Sequence, residues 1–168
     1  MARTALVLGF VLAACNAPPA LHGAAHDPEA APPSSASSTG PHVRFTPAGE
    51  GELSALVRTF ATSARAEGRI PLVYVGATWC EPCQYFHRAA EHGDLDGELP
   101  ALALLELDLD RDGDRIAAAG YASRMIPLFA VPGPDGRGTE RRIEGSIHGP
   151  GSPQQIAPRL RAILTPVP

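Results

Sequence analysis

Lysine is absent from this 168-residue chain, and all 14 of its basic side chains are arginine. Set against 18 acidic residues, they leave a formal charge of −4. No arginine cluster or basic stripe interleaves with aromatics, so the electrostatic footprint of nucleic-acid binding is missing. The exclusive use of arginine points to a GC-rich genome more than to an activity. Long apolar stretches are lacking near the N-terminus too. Ala5 to Ala14 would rise only about 15 Å as a helix, about half a bilayer core, which argues against a transmembrane anchor. Cysteine is scarce: Cys15 ends that apolar run, and Cys80 and Cys83 form a C-x-x-C. The length leaves room for one ordinary domain plus flanking segments.

What stands at the N-terminus reads as an address. Arg3 precedes the apolar run, in the manner of a signal-peptide h-region. Leu12-Ala13-Ala14-Cys15 then resembles the lipobox of bacterial lipoproteins. That resemblance implies cleavage after Ala14, acylation of the Cys15 sulfur and attachment to a lipid membrane. The alternative is an ordinary secretory signal cleaved near Ala14 or Ala17, with Cys15 incidental. Asn16 leaves the inner and outer membranes both open. Residues 16–41 are rich in Ala, Pro, Ser and His and hold almost no large apolar side chains, so they cannot offset their ordering entropy. The expected organisation is a signal peptide over 1–14, a lipidated cysteine and disordered tether over 15–42, and a folded domain over 43–168. His22, His26 and His42, in or beside the tether, match no metal-site spacing and are expected to be solvated.

Periodicity places the elements of the domain. Leu53, Leu56, Val57, Phe60, Ala61 and Ala64 share one helical face, ended by Gly68. Pro71 to Val75 reads as a buried central strand. Cys80 to about His92 can form a helix closed by Gly93. A second apolar strand runs from Leu102 to Leu107, and a helix is expected from Asp112 to about Tyr121. Pro127 to Val131 is a third strand, and Thr139 to Glu144 alternates like an exposed edge strand. Ser152-Pro153 is expected to cap a last helix, with Pro158 forcing a kink or a late start. Val43 to Thr46 offers a weak extra strand. The alternation predicts an α/β fold, a mixed sheet of four to five strands with helices on both faces and a terminal antiparallel hairpin.

The C-x-x-C carries the chemistry. Trp79-Cys80-Glu81-Pro82-Cys83 follows a buried strand and opens a helix, where free N–H groups and the macrodipole stabilise a thiolate. The spacing puts both sulfurs on one turn, near enough to close a disulfide. Cys80, nearer the helix start, is the expected attacking thiolate, and Cys83 the resolving one. A zinc site lacks its other half, because the domain holds no further cysteine. Cys80, Cys83 and His87, at i, i+3 and i+7, leave a three-ligand copper or zinc site as the alternative, although His87 reads better as a packing residue. Asp108 to Asp114 opens like a calcium loop, but Ala119 stands where the closing glutamate belongs, so no calcium is expected there.

At this point the chain resembles the thioredoxin family over about residues 50–165. The carriers are Trp79-Cys80-Glu81-Pro82-Cys83 after Val73-Tyr74-Val75-Gly76-Ala77, Met125-Ile126-Pro127 before a strand, Leu105 to Asp110, and Ile143-Glu144-Gly145. The resemblance implies a thioredoxin-like fold and a redox-active Cys80–Cys83 disulfide. It implies a cis Pro127 beside the sulfurs and an Ile126 backbone that pairs with an extended substrate. Trp79, Glu81 and Pro82 would share that docking surface. No cofactor is implied, since the cysteine pair itself carries two electrons.

Two departures stand out. Tyr74 occupies the place of the family's buried aspartate, so deprotonation of Cys83 has to be assisted differently, by Glu81 or water. Arg88 replaces the proline that kinks the family's active-site helix. The stretch from Phe86 to Glu91 resembles envelope-side domains of thiol–disulfide interchange proteins, and the Glu-Pro dipeptide resembles membrane-tethered reductases of cytochrome c maturation. The expectation is therefore a reductive thiol–disulfide oxidoreductase of a bacterial cell envelope, facing the periplasm. Its partners would be protein thiols or disulfides and a membrane or periplasmic electron donor. The alternative is a thioredoxin-like metallochaperone using Cys80, Cys83 and His87.

Overall fold

The computed structural model describes residues 42–165. The expected signal peptide, the lipidated Cys15 and nearly all of the tether lie outside the described residues. Among those described, no helix is long and apolar enough to cross a membrane.

Five strands form one sheet: β1 (Val43–Pro47), β2 (Ile70–Gly76), β3 (Leu102–Asp108), β4 (Leu128–Pro132) and β5 (Gly138–Glu144). Their order across the sheet is β1-β3-β2-β4-β5. The first three run parallel, which requires crossover connections, and helices α1 (Leu53–Ala66) and α2 (Glu81–Glu91) supply two of them. Helix α3 (Leu109–Ala118) leads into β4, which pairs antiparallel with both β2 and β5. Helix α4 (Ser152–Leu164) follows the hairpin.

The central position of β2 explains its sequence. From Pro71 to Gly76 every residue is buried, so both faces of the strand must be apolar. Leu72 and Tyr74 point to a core shared with Phe86, Phe129, Ile156 and Leu160, beneath α2 and α4. Val73 and Val75 point the opposite way, to Val57, Leu107, Ile116 and Leu128 beneath α1 and α3. One strand thus links two cores. Because the side-chain period is two, a one-residue slip of β2 would exchange its whole complement between them.

Local chemistry moved several boundaries from their expected places. Helix α3 starts three residues before Asp112, because the Asp108 side chain accepts the N–H groups of Asp110 and Arg111 as an N-cap. Helix α4 is preceded by Gly151 at the N-cap, so Ser152 lies inside the first turn and its buried hydroxyl reaches the Pro82 carbonyl at 3.5 Å. Pro158 neither delays nor ends α4. It sits on the exposed side, and the carbonyl it cannot serve belongs to the equally exposed Gln154. His42 is not merely solvated: its N–H donates to Asp96 at 2.9 Å and its ring meets the Leu99 carbonyl at 3.1 Å.

Asp112 ties the end of β3 to α3. Its buried carboxylate accepts the Asp108 N–H at 2.9 Å, two bonds from Arg111 at 3.1 and 2.9 Å, and an Arg115 contact at 2.9 Å. Burial pushes its pKa up, but the Arg111 and Asp108 hydrogen bonds and the Arg115 charge outweigh that and hold it below the usual range. A depressed folded pKa gives stability that is full above the ordinary carboxylate range and lost as pH falls through the folded value. Asp112→Asn is expected to cost about 1–3 kcal/mol at neutral pH. In urea unfolding the gap to the parent protein should shrink below about pH 4. A gap that stays constant into acid would contradict this role.

Candidate active site

Strand β2 ends at Gly76, and the chain turns through Ala77-Thr78-Trp79 into α2. Gly76 is required by contact: a Cβ there would lie 2.6 Å from the Tyr74 hydroxyl. The turn is held by the Cys80 N–H on the Ala77 carbonyl at 3.1 Å and by the Gln84 amide on the Thr78 carbonyl at 2.6 Å. Cys80 is the N-cap residue of α2, and its sulfur accepts the N–H of Cys83 at 3.3 Å. Pro82 occupies the first turn, where its missing N–H costs no helical bond. Cys80 and Cys83 are joined in a disulfide with their Cα atoms 5.2 Å apart, and both are buried. On reduction, the same N-terminal N–H groups and macrodipole are positioned to stabilise a thiolate at Cys80.

Cys80 borders a groove of about 340 Å³ together with Trp79, Pro82, Met125, Ile126 and His148. Trp79 and Met125 are 62% and 58% exposed, unusual for such large apolar side chains. The indole N–H of Trp79 donates to Asp110 at 2.8 Å, which fixes the ring beside the groove. Opposite, the Ile126–Pro127 peptide is cis. Pro127 itself is buried, and its carbonyl accepts the Gly145 N–H at 2.8 Å, anchoring this loop to the end of β5. Glu81 turns to the same side, with a carboxylate oxygen 2.6 Å from His148 Nδ1.

Cys83 borders a different cavity of about 470 Å³, shared with Tyr74, His87 and Glu106. His87 Nε2 lies 2.8 Å from a Glu106 oxygen, and its ring stacks on Phe45 with centroids 3.8 Å apart. Tyr74 is fully buried and its hydroxyl has no hydrogen-bond partner among the described residues. Burial, followed by the Glu106 charge, pushes its pKa well above the ordinary phenol value. Among the described residues, no group of three or more His, Cys, Asp or Glu is placed to hold a metal ion. The calcium-like run is committed elsewhere, with Asp108 capping α3, Asp110 holding Trp79 and Asp112 holding two arginines.

A mixed sheet of this strand order, a disulfide opening the helix after its central strand and a cis-proline loop belong to one architecture. The fold is thioredoxin-like. Similar solved structures include a mutant thioredoxin from Halobacterium salinarum, at 19% identity and a TM-score of 0.44, covering 78% of this chain and 99% of that one. A wild-type thioredoxin h from poplar has 19% identity and a TM-score of 0.42, with 75% and 99% covered. No family model and no curated protein matches the chain.

The structure brings Trp79, Cys80, Glu81, Pro82 and Ile126 to one groove and sets Cys83 and His87 on the other cavity. Three participants escaped the sequence reading. Asp110 was hidden inside the calcium-like run. His148 lies in a Gly-rich loop without periodicity. Glu106 did leave a signal, a lone charge interrupting the apolar run of β3.

Gly145 adopts φ +62°, and a Cβ there would come 3.1 Å from the Cβ of Met125 on the groove wall. Gly145→Ala is therefore expected to cost about 1–2 kcal/mol for the left-handed conformation alone, read from urea unfolding. An unchanged midpoint would show that the loop relaxes freely.

Proposed function

We propose that this protein is a thiol–disulfide oxidoreductase that reduces protein disulfides in a bacterial cell envelope. The observation that carries the reading is the placement of the Cys80–Cys83 disulfide. It caps the first turn of α2, with Cys80 opening on a groove walled by the exposed Trp79 and Met125.

In the reductive direction the Cys80 thiolate attacks one sulfur of a substrate disulfide and releases the other as a thiolate. Cys83, once deprotonated, then attacks the Cys80 sulfur. The Cys80–Cys83 bond forms, the substrate–Cys80 bond breaks, and the second substrate sulfur leaves with its electron pair. The substrate gains two electrons, the cysteine pair loses two, and no cofactor is needed. An extended substrate segment would lie in the groove, beside Trp79, Glu81 and Pro82 and along the Ile126 backbone.

The location and direction rest on sequence features. The apolar run ending in Leu12-Ala13-Ala14-Cys15 supports acylation of Cys15 and a tether on the periplasmic side of a membrane. The Glu-Pro dipeptide and the Phe86–Glu91 stretch support reduction over oxidation. Because the periplasm is kept oxidising, the pair must then be recharged by a membrane or periplasmic donor.

The full chain should catalyse dithiothreitol-driven reduction of insulin, and Cys80→Ser should abolish it, while Cys83→Ser should accumulate a mixed disulfide. Activity retained in Cys80→Ser would overturn the assignment. Acid trapping of free thiols in cells should find the pair mostly reduced; a mostly oxidised pair would reverse the direction.

A further inference from the structure

The resolving step needs a base for Cys83, and the two sulfurs do not share their surroundings. Cys80 borders the substrate groove, where the ionisable neighbours are Arg124, a permanent cation, and Glu81 and His148, which contact each other. Cys83 borders the second cavity. We propose that Glu106, held in place by His87, accepts the Cys83 proton through water in that cavity. The inference rests on the redox reading above.

Elimination among the groups around the cavity leads to this pair. Arg88 from α2 and Arg111 from α3 are permanent cations and accept nothing. Asp108 at the end of β3 is turned to the N-cap of α3, its Oδ1 accepting the N–H groups of Asp110 and Arg111. Tyr74 from β2 stays neutral when buried, so it can donate a hydrogen bond but not take a proton from a thiol. Strand β1 contributes Pro47 to the cavity wall and Phe45 beneath His87, neither of them charged. Glu106 remains.

The fold holds Glu106 in register for this task. It sits on β3 directly beside Tyr74 of β2, the strand that feeds the cysteine turn. Its carboxylate is oriented by His87 at 2.8 Å, and His87 is fixed by its stack on Phe45 and an edge contact with Tyr74. Both are about one-quarter to one-third exposed, so the pair can exchange its proton with solvent after each turnover. A cavity of about 470 Å³ accommodates several waters. Tyr74 lines the same space, with its hydroxyl buried and unpartnered among the described residues. The step balances: the Cys83 proton goes through water to the Glu106 carboxylate, the Cys83 thiolate displaces the substrate sulfur from Cys80, and the proton is returned to that leaving thiolate or to solvent. His87 acts here as a positioning residue.

The reduced full-length protein mixed with Ellman's reagent separates the two steps. Attack by Cys80 releases one thionitrobenzoate, and resolution by Cys83 releases a second in a slower phase. Glu106→Gln should slow the second phase by about 10²-fold near pH 7. The first phase should change less than about twofold, and the deficit should close as pH passes the ordinary thiol pKa near ~8.5. Glu106→Asp should recover much of the rate, which a purely structural role for Glu106 would not require. Should Glu106→Gln not fold, His87→Gln is expected to slow the second phase several-fold with the same pH signature. A second phase of unchanged rate and pH dependence in the folded variants would overturn the inference alone. A parent protein that releases no second thionitrobenzoate would overturn the redox reading with it.

Discussion

The start of α2 is the constraint on which the rest depends. A side chain at an N-cap can accept a backbone N–H from the first turn, and at Cys80 the acceptor is sulfur. That bond, together with the helix dipole, sets one sulfur at the positive end of the helix and leaves its partner a turn deeper. The supports are spread widely: Gly76 leaves room for Tyr74, Gln84 ties down Thr78, and Ser152 of α4 reaches the Pro82 carbonyl. The sheet puts this helix end where it can act, because β2 is sandwiched between two cores and cannot shift register.

The division of labour between the sulfurs follows from which wall each one faces. The groove beside Cys80 exposes aromatic and thioether surface among polar neighbours, Glu81, Arg124 and His148. The cavity beside Cys83 is bordered by the His87–Glu106 contact and by Tyr74. On the proposed reading, protein substrates and protons have separate approaches, and a change on one side need not disturb the other. The carboxylate near the resolving sulfur stands one strand over from Tyr74, on β3.

Much of this was legible beforehand, for identifiable reasons. Strands β2 and β3 are continuous apolar runs, and α1 has an unbroken helical stripe, so tertiary packing agrees with local pattern. The cysteine pair could be picked out because few other residue combinations serve that chemistry, and Ile126-Pro127 through the resemblance to the thioredoxin family. What escaped depends on side chains meeting across long sequence distances. Asp110 meets Trp79 31 residues away, and His148 meets Glu81 across 67. The start of α3 was misplaced because the bonds from the Asp108 side chain to the Asp110 and Arg111 N–H groups leave no mark in the helical periodicity. Pro158 misled because its cost depends on which side of α4 faces solvent, and composition does not reveal that.

The account stands most directly on the claim that the two reduced sulfurs differ, with Cys80 carrying the thiolate and Cys83 withheld. Limiting iodoacetamide at about pH 6, followed by peptide mapping, measures that difference in one experiment. Cys80 should be alkylated at least about tenfold faster than Cys83. Equal labelling, or faster labelling of Cys83, would contradict the assignment of the attacking sulfur and with it the functional division between the two cavities.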